Sequence, residues 1–357
     1  MSVTDRETAD ATVSSNLLRT DSLGASMVLV VGLMGLQRLI GLVRNVLFCW
    51  LLNDDQLGRW SLANNFLLLA APLVVLGVPG SFGRYVEHYR RSGQLRAFLR
   101  RTSLASLLAA LVATGVLLTS PKWFAVLVYD DPAQGAAIRT LGVVLLCVIA
   151  FNFLVELLTA LRLVRMVAVM QLASSLVFAL VGCGLLYFTR LQEEAVVIAF
   201  GTSCLVAAAW GFAVVAHLYR VLPRVEVELS HGLLWKKLLP FAGWIWTGNL
   251  IANLFTMSDQ FMLKHLSGLA PAAADSLVGQ YYSSRVIPVL LVGVATLLAS
   301  GLLPHWIDDW EANRRDIAMH RVNASLKLSA LGFTGGGAAV LVAAPLLFGW
   351  ILRGKYP

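Results

Sequence analysis

Apolar runs long enough to cross a bilayer recur along the whole chain, and that recurrence constrains the fold more than any single motif. A transmembrane helix needs about 20 predominantly apolar residues. Runs of that order lie at roughly 23–52, 61–83, 102–120, 136–160, 163–189, 195–219, 237–262, 277–303 and 325–352. Short loops separate them, with no soluble domain inserted, and the runs are continuous rather than alternating, which excludes a membrane barrel built of strands. The sequence therefore predicts an all-α polytopic membrane protein of about nine transmembrane helices. Composition agrees, with 58% hydrophobic and 13% charged residues and a mean hydropathy of +0.75. A soluble domain carries about 25% charged residues.

The net charge of +8 would point to nucleic acid in a soluble chain, but no basic stretch here is interleaved with aromatics in a pattern that suggests base stacking, so no nucleic-acid partner is expected. The positive charge instead alternates between loops. Segments 84–101, 162–165, 220–237 and 314–327 hold 16 Lys and Arg, against seven in the intervening loops and the C-terminal end. Cytoplasmic loops carry such an excess, which places the N-terminus in the cytoplasm. The most basic segment, EHYRRSGQLRAFLRR (87–101), reads as a topology anchor that also touches anionic lipid. Residues 1–22 are polar and mixed in charge, unlike the basic start and apolar core of a signal peptide, and read as a cytoplasmic tail. Cys49, Cys147, Cys183 and Cys204 lie in apolar segments without CxxC spacing, as small buried hydrophobes and not metal ligands.

The first run contains an anomaly. QRLIGLVRN (37–45) sets Arg38 between two 14-residue runs, Leu23–Leu36 and Leu39–Leu52, and Arg44 within the second, neither run being long enough to span alone. Joined, they form one helix of about 30 residues with both arginines inside it, each costing about 2.5–3.5 kcal/mol on insertion scales. At 100° per residue Arg38, Gly41, Arg44 and Asn45 share one face.

A weak internal repeat accompanies this. VRNVLFCWLLNDDQLGRWSLA (43–63) resembles MSDQFMLKHLSGLAPAAADSLVGQYYSS (257–284), matching Gly58 and Trp60 to Gly279 and Tyr281. Helices 1 and 2 then correspond to 7 and 8. The expected organisation is a cytoplasmic tail (1–22), a six-helix N-lobe (23–219), a basic cytoplasmic linker (220–236) and a partial C-lobe of helices 7 to 9 (237–357). Repeated halves with a site between them are typical of secondary transporters. The second half is only half present, so the chain is expected to be C-terminally incomplete, with three or more further spans to follow.

Residues QRLIGLVRNVLFCWLL (37–52) and LGRWSLANNFLLLAAPLVVLGVPGSFGRYVEHY (57–89) resemble the opening of the polysaccharide and O-antigen (Wzx-like) flippases. LLPFAGWIWTGNLIANLFTMSDQFML (238–263) with VGQYYSS (278–284) is similar to their seventh and eighth helices. That group belongs to the superfamily of multidrug (MATE), oligosaccharidyl-lipid and polysaccharide exporters. The resemblance implies a MATE-like fold of two lobes rocking around a central cavity in the inner (plasma) membrane. It implies a polyprenyl-pyrophosphate-linked oligosaccharide as substrate, an O-antigen or exopolysaccharide repeat unit, with membrane lipids and the pathway's glycan polymerase and glycosyltransferases as further partners. The lipid II flippases show an Arg followed, six residues on, by Arg-Asp. Here Asn45 replaces the Asp, which favours the polysaccharide branch.

Each candidate residue carries a structural reading beside the functional one. Arg38 and Arg44 either face a cavity that receives the pyrophosphate, or pair with Glu156 and snorkel to the interface. Asn249, Asn253, Thr256 and Gln260 form a helical stripe headed by Trp246, either a wall for sugar hydroxyls or interhelical hydrogen bonds. Arg285 is a cavity candidate in helix 8. Glu156 and Asp259 are ion-pair or coupling candidates, while Gln171 and Ser175 read as packing groups. Pro72, Pro79 and Pro288 are candidate flexing points. No Ser-His-Asp set, metal-spaced His cluster, Gly-rich phosphate loop or paired intramembrane carboxylates appear, so no catalytic residue, metal, cofactor or enzymatic activity is expected. The rival functions are a multidrug exporter of cations, a membrane-embedded polysaccharide polymerase or ligase, and an inactive fragment.

Overall fold

The computed structural model describes residues 23–221, 230–311 and 314–351. The tail expected at 1–22, residues 222–229 of the linker and the C-terminal 352–357 lie outside the described residues. Twelve α-helices follow in chain order: α1 (Leu23–Leu51), α2 (Asp54–Val74), α3 (Phe82–Arg91), α4 (Leu95–Thr119), α5 (Pro121–Tyr129), α6 (Gly135–Ala160), α7 (Val164–Phe188), α8 (Gln192–Val221), α9 (His231–Leu266), α10 (Pro271–Ser284), α11 (Val286–Glu311) and α12 (Arg315–Ile351). Among the described residues there is no strand.

The protein is an all-α polytopic membrane protein. Among the described residues, six helices are long and apolar enough to cross a membrane, or seven if the bent pair Asp54–Val74 and Pro79–Arg91 is one span. The nine runs expected from sequence fall mainly on helix, but three differ from the simplest picture, the second (61–83) because α2 ends at Val74 and the chain bends there. Asn249 and Asn253 dilute the apolar run of α9. The eighth run is divided at Arg285 into α10 and α11. Pro288 lies just beyond that break, and in an unbroken helix its ring would clash with the carbonyl four residues earlier, that of Ser284.

Local chemistry sets the helix ends that matter for the site. The two short apolar runs around Arg38 and Arg44 form one unbroken 29-residue helix, α1. At the start of α2 the Asn53 N–H donates to the Gln56 carboxamide at 3.0 Å, and Asp54 and Asp55 place carboxylates in the first turn, where the helix dipole favours them. Leu76 (φ +49°) and Gly77 (φ +69°) then turn the chain, and a bend of 63° leads into α3. Gly77 is required twice over. Its backbone is left-handed, and a Cβ there would strike the Ala242 carbonyl of α9.

Two seams bind α9–α11 to the N-terminal helices. At the end of the bundle near Asn53, α2 crosses α10 backbone to backbone: a Cβ on Gly58 would fall on the Asp275 carbonyl, and one on Gly279 on the Asp54 carbonyl. Small residues allow this approach where lipid supplies no hydrophobic drive between helices. Beside the crossing, the fully buried Lys264 Nζ donates to Asp275 at 2.7 Å and to the Pro271 carbonyl at 3.0 Å, and Gln280 donates to Asp54 at 3.3 Å. At the opposite, basic end Leu234 and Leu238 of α9 enter a core with Val78, Phe82, Val86 and Phe98. The Tyr85 hydroxyl donates to the Lys237 carbonyl at 2.8 Å, and Arg84 stacks 4.8 Å from the Phe241 ring centre.

Candidate functional site

Between these two seams lies a cavity of about 530 Å³, walled by α1, α2, α7 and α9–α11. The α1 wall is the face read from sequence, with Gln37, Arg38, Gly41, Arg44 and Asn45. Arg44 stands 4.1 Å over the Phe178 ring centre, its Nη2 donates to Asn45 Oδ1 at 3.2 Å, and its buried Nε has no hydrogen-bond partner in the protein. Phe178 is held in turn by Phe48, Trp60 and Phe200, with ring centres 5.3–5.7 Å away. The guanidinium is thus fixed by an aromatic face, without a carboxylate, in a setting where cation–π attraction is strengthened by desolvation. Arg38 is more exposed and lies across α11 at Gly293, where a Cβ would sit 3.6 Å from its Cδ and Nε. Arg285, at the α10–α11 break, completes the set, 5.4 Å from the Tyr281 ring centre.

The opposite wall is amide-rich. Gln260, only 5% exposed, accepts from Ser61 Oγ at 2.5 Å and Asn65 Nδ2 at 2.7 Å, which ties α9 to α2. Asn64, Gln171, Ser174 and Ser175 also line the cavity. Among the described lining residues there are three arginines and no Asp or Glu.

The structure brings together Arg38, Arg44, Asn45, Thr256, Gln260 and Arg285 from the sequence candidates. It places the remaining ones elsewhere. Trp246 donates its indole N–H to the Leu73 carbonyl at 3.2 Å, at the end of α2, where the Leu76 N–H also donates at 3.3 Å. Asn253 donates to the Asn249 carbonyl at 2.8 Å, one turn back on its own helix, and Asn249 is exposed. Asp259 accepts from the Tyr281 hydroxyl at 2.6 Å. Glu156 is exposed on α6 and, among the described residues, makes no ion pair, with Arg38 or otherwise. Sequence reasoning missed Asn64 and Asn65, although an Asn pair inside an apolar run was the available signal. It also read Gln171 and Ser175 as packing groups, and both line the cavity.

The sequence profile of the polysaccharide biosynthesis proteins matches residues 23–306, which takes in every element of the cavity. The chain belongs to the polysaccharide biosynthesis protein family. No curated protein and no solved structure matches it. As a family member it acts in polysaccharide biosynthesis from within a membrane, a context that implies lipid-linked sugar substrates. Among the described residues no group of three or more His, Cys, Asp or Glu side chains converges as a metal site.

Proposed function

We propose that this polysaccharide biosynthesis protein is a flippase, not an enzyme, which carries a polyprenyl-pyrophosphate-linked oligosaccharide of the O-antigen or exopolysaccharide type across the inner membrane by alternating access. The observation that carries the reading is the sign of the cavity: Arg38, Arg44 and Arg285 line it, and no described carboxylate does. A pyrophosphate needs such compensation inside a membrane, and the planar guanidinium forks bind phosphate oxygens in a bidentate way. The amides of Asn45, Asn64, Asn65 and Gln260 and the indole of Trp60 offer hydrogen bonds and an aromatic face for the sugars. An exporter of organic cations would need acidic groups in the same place.

The binding test compares two lipids that differ only in the pyrophosphate group. Purified full-length protein is expected to bind a polyprenyl pyrophosphate at least about tenfold more tightly than the same polyprenol, since a hydrogen bond to a charged group contributes about 1.5–3 kcal/mol. Equal affinity for both would remove the pyrophosphate from the reading.

Orientation belongs to the same proposal, with the N-terminus and the basic loops in the cytoplasm. Ser92 and Ser230 are exposed at the basic end of the bundle. Cysteine placed at either position, in an otherwise cysteine-free protein, is expected to stay unreactive to an impermeant maleimide added outside intact cells. Efficient outside labelling would invert the topology.

A further inference from the structure

A second groove, remote from the arginine cavity, runs between α4, α6 and α8. Its volume is about 500 Å³, and it shares no lining residue with that cavity. Its walls are apolar for most of their length, through Leu107, Ala110, Ile149, Phe153 and Phe212. Leu107 and Phe212 are strongly exposed, as rims that face the hydrocarbon of a bilayer would be. At the basic end the character changes, where Arg100 of α4 and Arg220 in the last turn of α8 stand at the mouth.

Two further features give the mouth a built geometry. Arg96, one turn before Arg100, lies 4.4 Å from the Tyr219 ring centre and pins the start of α4 to the end of α8, so Arg100 and Arg220 are held in one neighbourhood. Ser106 is only 5% exposed and lines the groove, and its Oγ has no hydrogen-bond partner in the protein. It lies six residues along α4 from Arg100, about 9 Å deeper at the helical rise. Reading inward, the groove offers two cations, then one buried hydroxyl, then hydrocarbon.

We propose that this groove is a binding site for an anionic phospholipid of the surrounding bilayer. Arg100 and Arg220 hold its phosphate, Ser106 donates to a glycerol-ester carbonyl, and one acyl chain lies along Leu107, Ile149, Phe153 and Phe212. Charge complementarity selects this occupant, because a zwitterionic lipid brings its own cation beside the phosphate and gains less from two arginines at the mouth. A lipid-linked glycan fits poorly, because the groove opens toward the bilayer and has no wall of amides to meet sugars. The site fastens the α4 and α8 ends beside the most basic loop of the protein.

The test uses purified full-length protein in nanodiscs of phosphatidylcholine with and without phosphatidylglycerol, read by native mass spectrometry and by thermal unfolding. Wild-type protein is expected to retain phosphatidylglycerol selectively and to unfold at a higher temperature when it is present. The Arg100→Gln/Arg220→Gln variant is expected to retain roughly ten- to thirtyfold less, from the loss of two charges near an anionic headgroup. Arg100→Lys/Arg220→Lys keeps most of the binding. Because both arginines are exposed, the Gln variant should fold and keep wild-type affinity for polyprenyl pyrophosphate, which separates this site from the arginine cavity. Three results would overturn the proposal: unchanged phosphatidylglycerol in the Gln variant, equal stabilisation by phosphatidylcholine alone, or displacement of the bound lipid by polyprenyl pyrophosphate.

Discussion

Replacing Arg44 or Arg38 with alanine in the full-length protein is expected to stop glycan export while the amount of protein in the membrane stays near normal. Each arginine costs about 2.5–3.5 kcal/mol to insert, so alanine relieves a penalty and removes no carboxylate partner that would be left unpaired. What alanine removes is a guanidinium aimed into a cavity that holds no described counter-charge. Truncating one member of a buried charge pair costs about 2–5 kcal/mol, so export should fall by roughly thirtyfold or more for each substitution. Arg44 should be the more severe, because the Phe178 face and Asn45 hold its head in place. Lysine at either position should recover part of the activity, because a point charge keeps the attraction and loses the fork. The measurements are surface glycan and membrane abundance in cells with no other copy of the gene. Normal export by both alanine variants would make the arginines structural, and a collapse in abundance would assign them to folding.

Much of this site was legible because charge inside an apolar run is costly and therefore conspicuous. Arg38 and Arg44 announced both a helix longer than either flanking run and the face that lines the cavity. The polar stripe on α9 was legible as a stripe and as a candidate wall, but not which of its residues face the cavity. A helical Asn or Thr can meet its needs on the carbonyl one turn back, as Asn253 and Thr256 do, and spacing cannot tell that from a group aimed at a partner. Trp246 was misplaced for a related reason: its partner is the frayed end of α2, created by a left-handed turn at Leu76 and Gly77 that hydropathy does not register. The short helices α3 and α5 escaped a search for continuous apolar runs of spanning length, since α3 is amphipathic and mostly polar and α5 has only nine residues. Asn64 and Asn65 were overlooked inside an apolar run whose length dominated its reading.

The α2–α10 crossing carries the other large effect. Gly58→Ala and Gly279→Ala are each expected to lower the thermal midpoint of the purified protein, and valine at either position should prevent its accumulation. In an open helix, alanine for glycine would stabilise by about 1 kcal/mol. Here the added carbon meets a backbone carbonyl, that of Asp275 or Asp54, and a helix backbone cannot swing aside as a side chain can. The helices must separate, which also pulls Gln280 from Asp54 and disturbs Lys264 and Asp275 beside the seam. Overpacking of this kind typically costs about 1–3 kcal/mol, and contact with backbone puts these sites at the upper end. Gly115, near the C-terminal end of α4 with open space around its Cα, supplies the opposite sign: Gly115→Ala should leave the midpoint unchanged or raise it. Because the two glycines share one crossing, the double alanine variant should lose less than the sum of the singles, since the first substitution already opens the seam for the second. Midpoints for Gly58→Ala and Gly279→Ala equal to that of Gly115→Ala would show that the two backbones do not meet, and strictly additive losses would show that they meet at separate places.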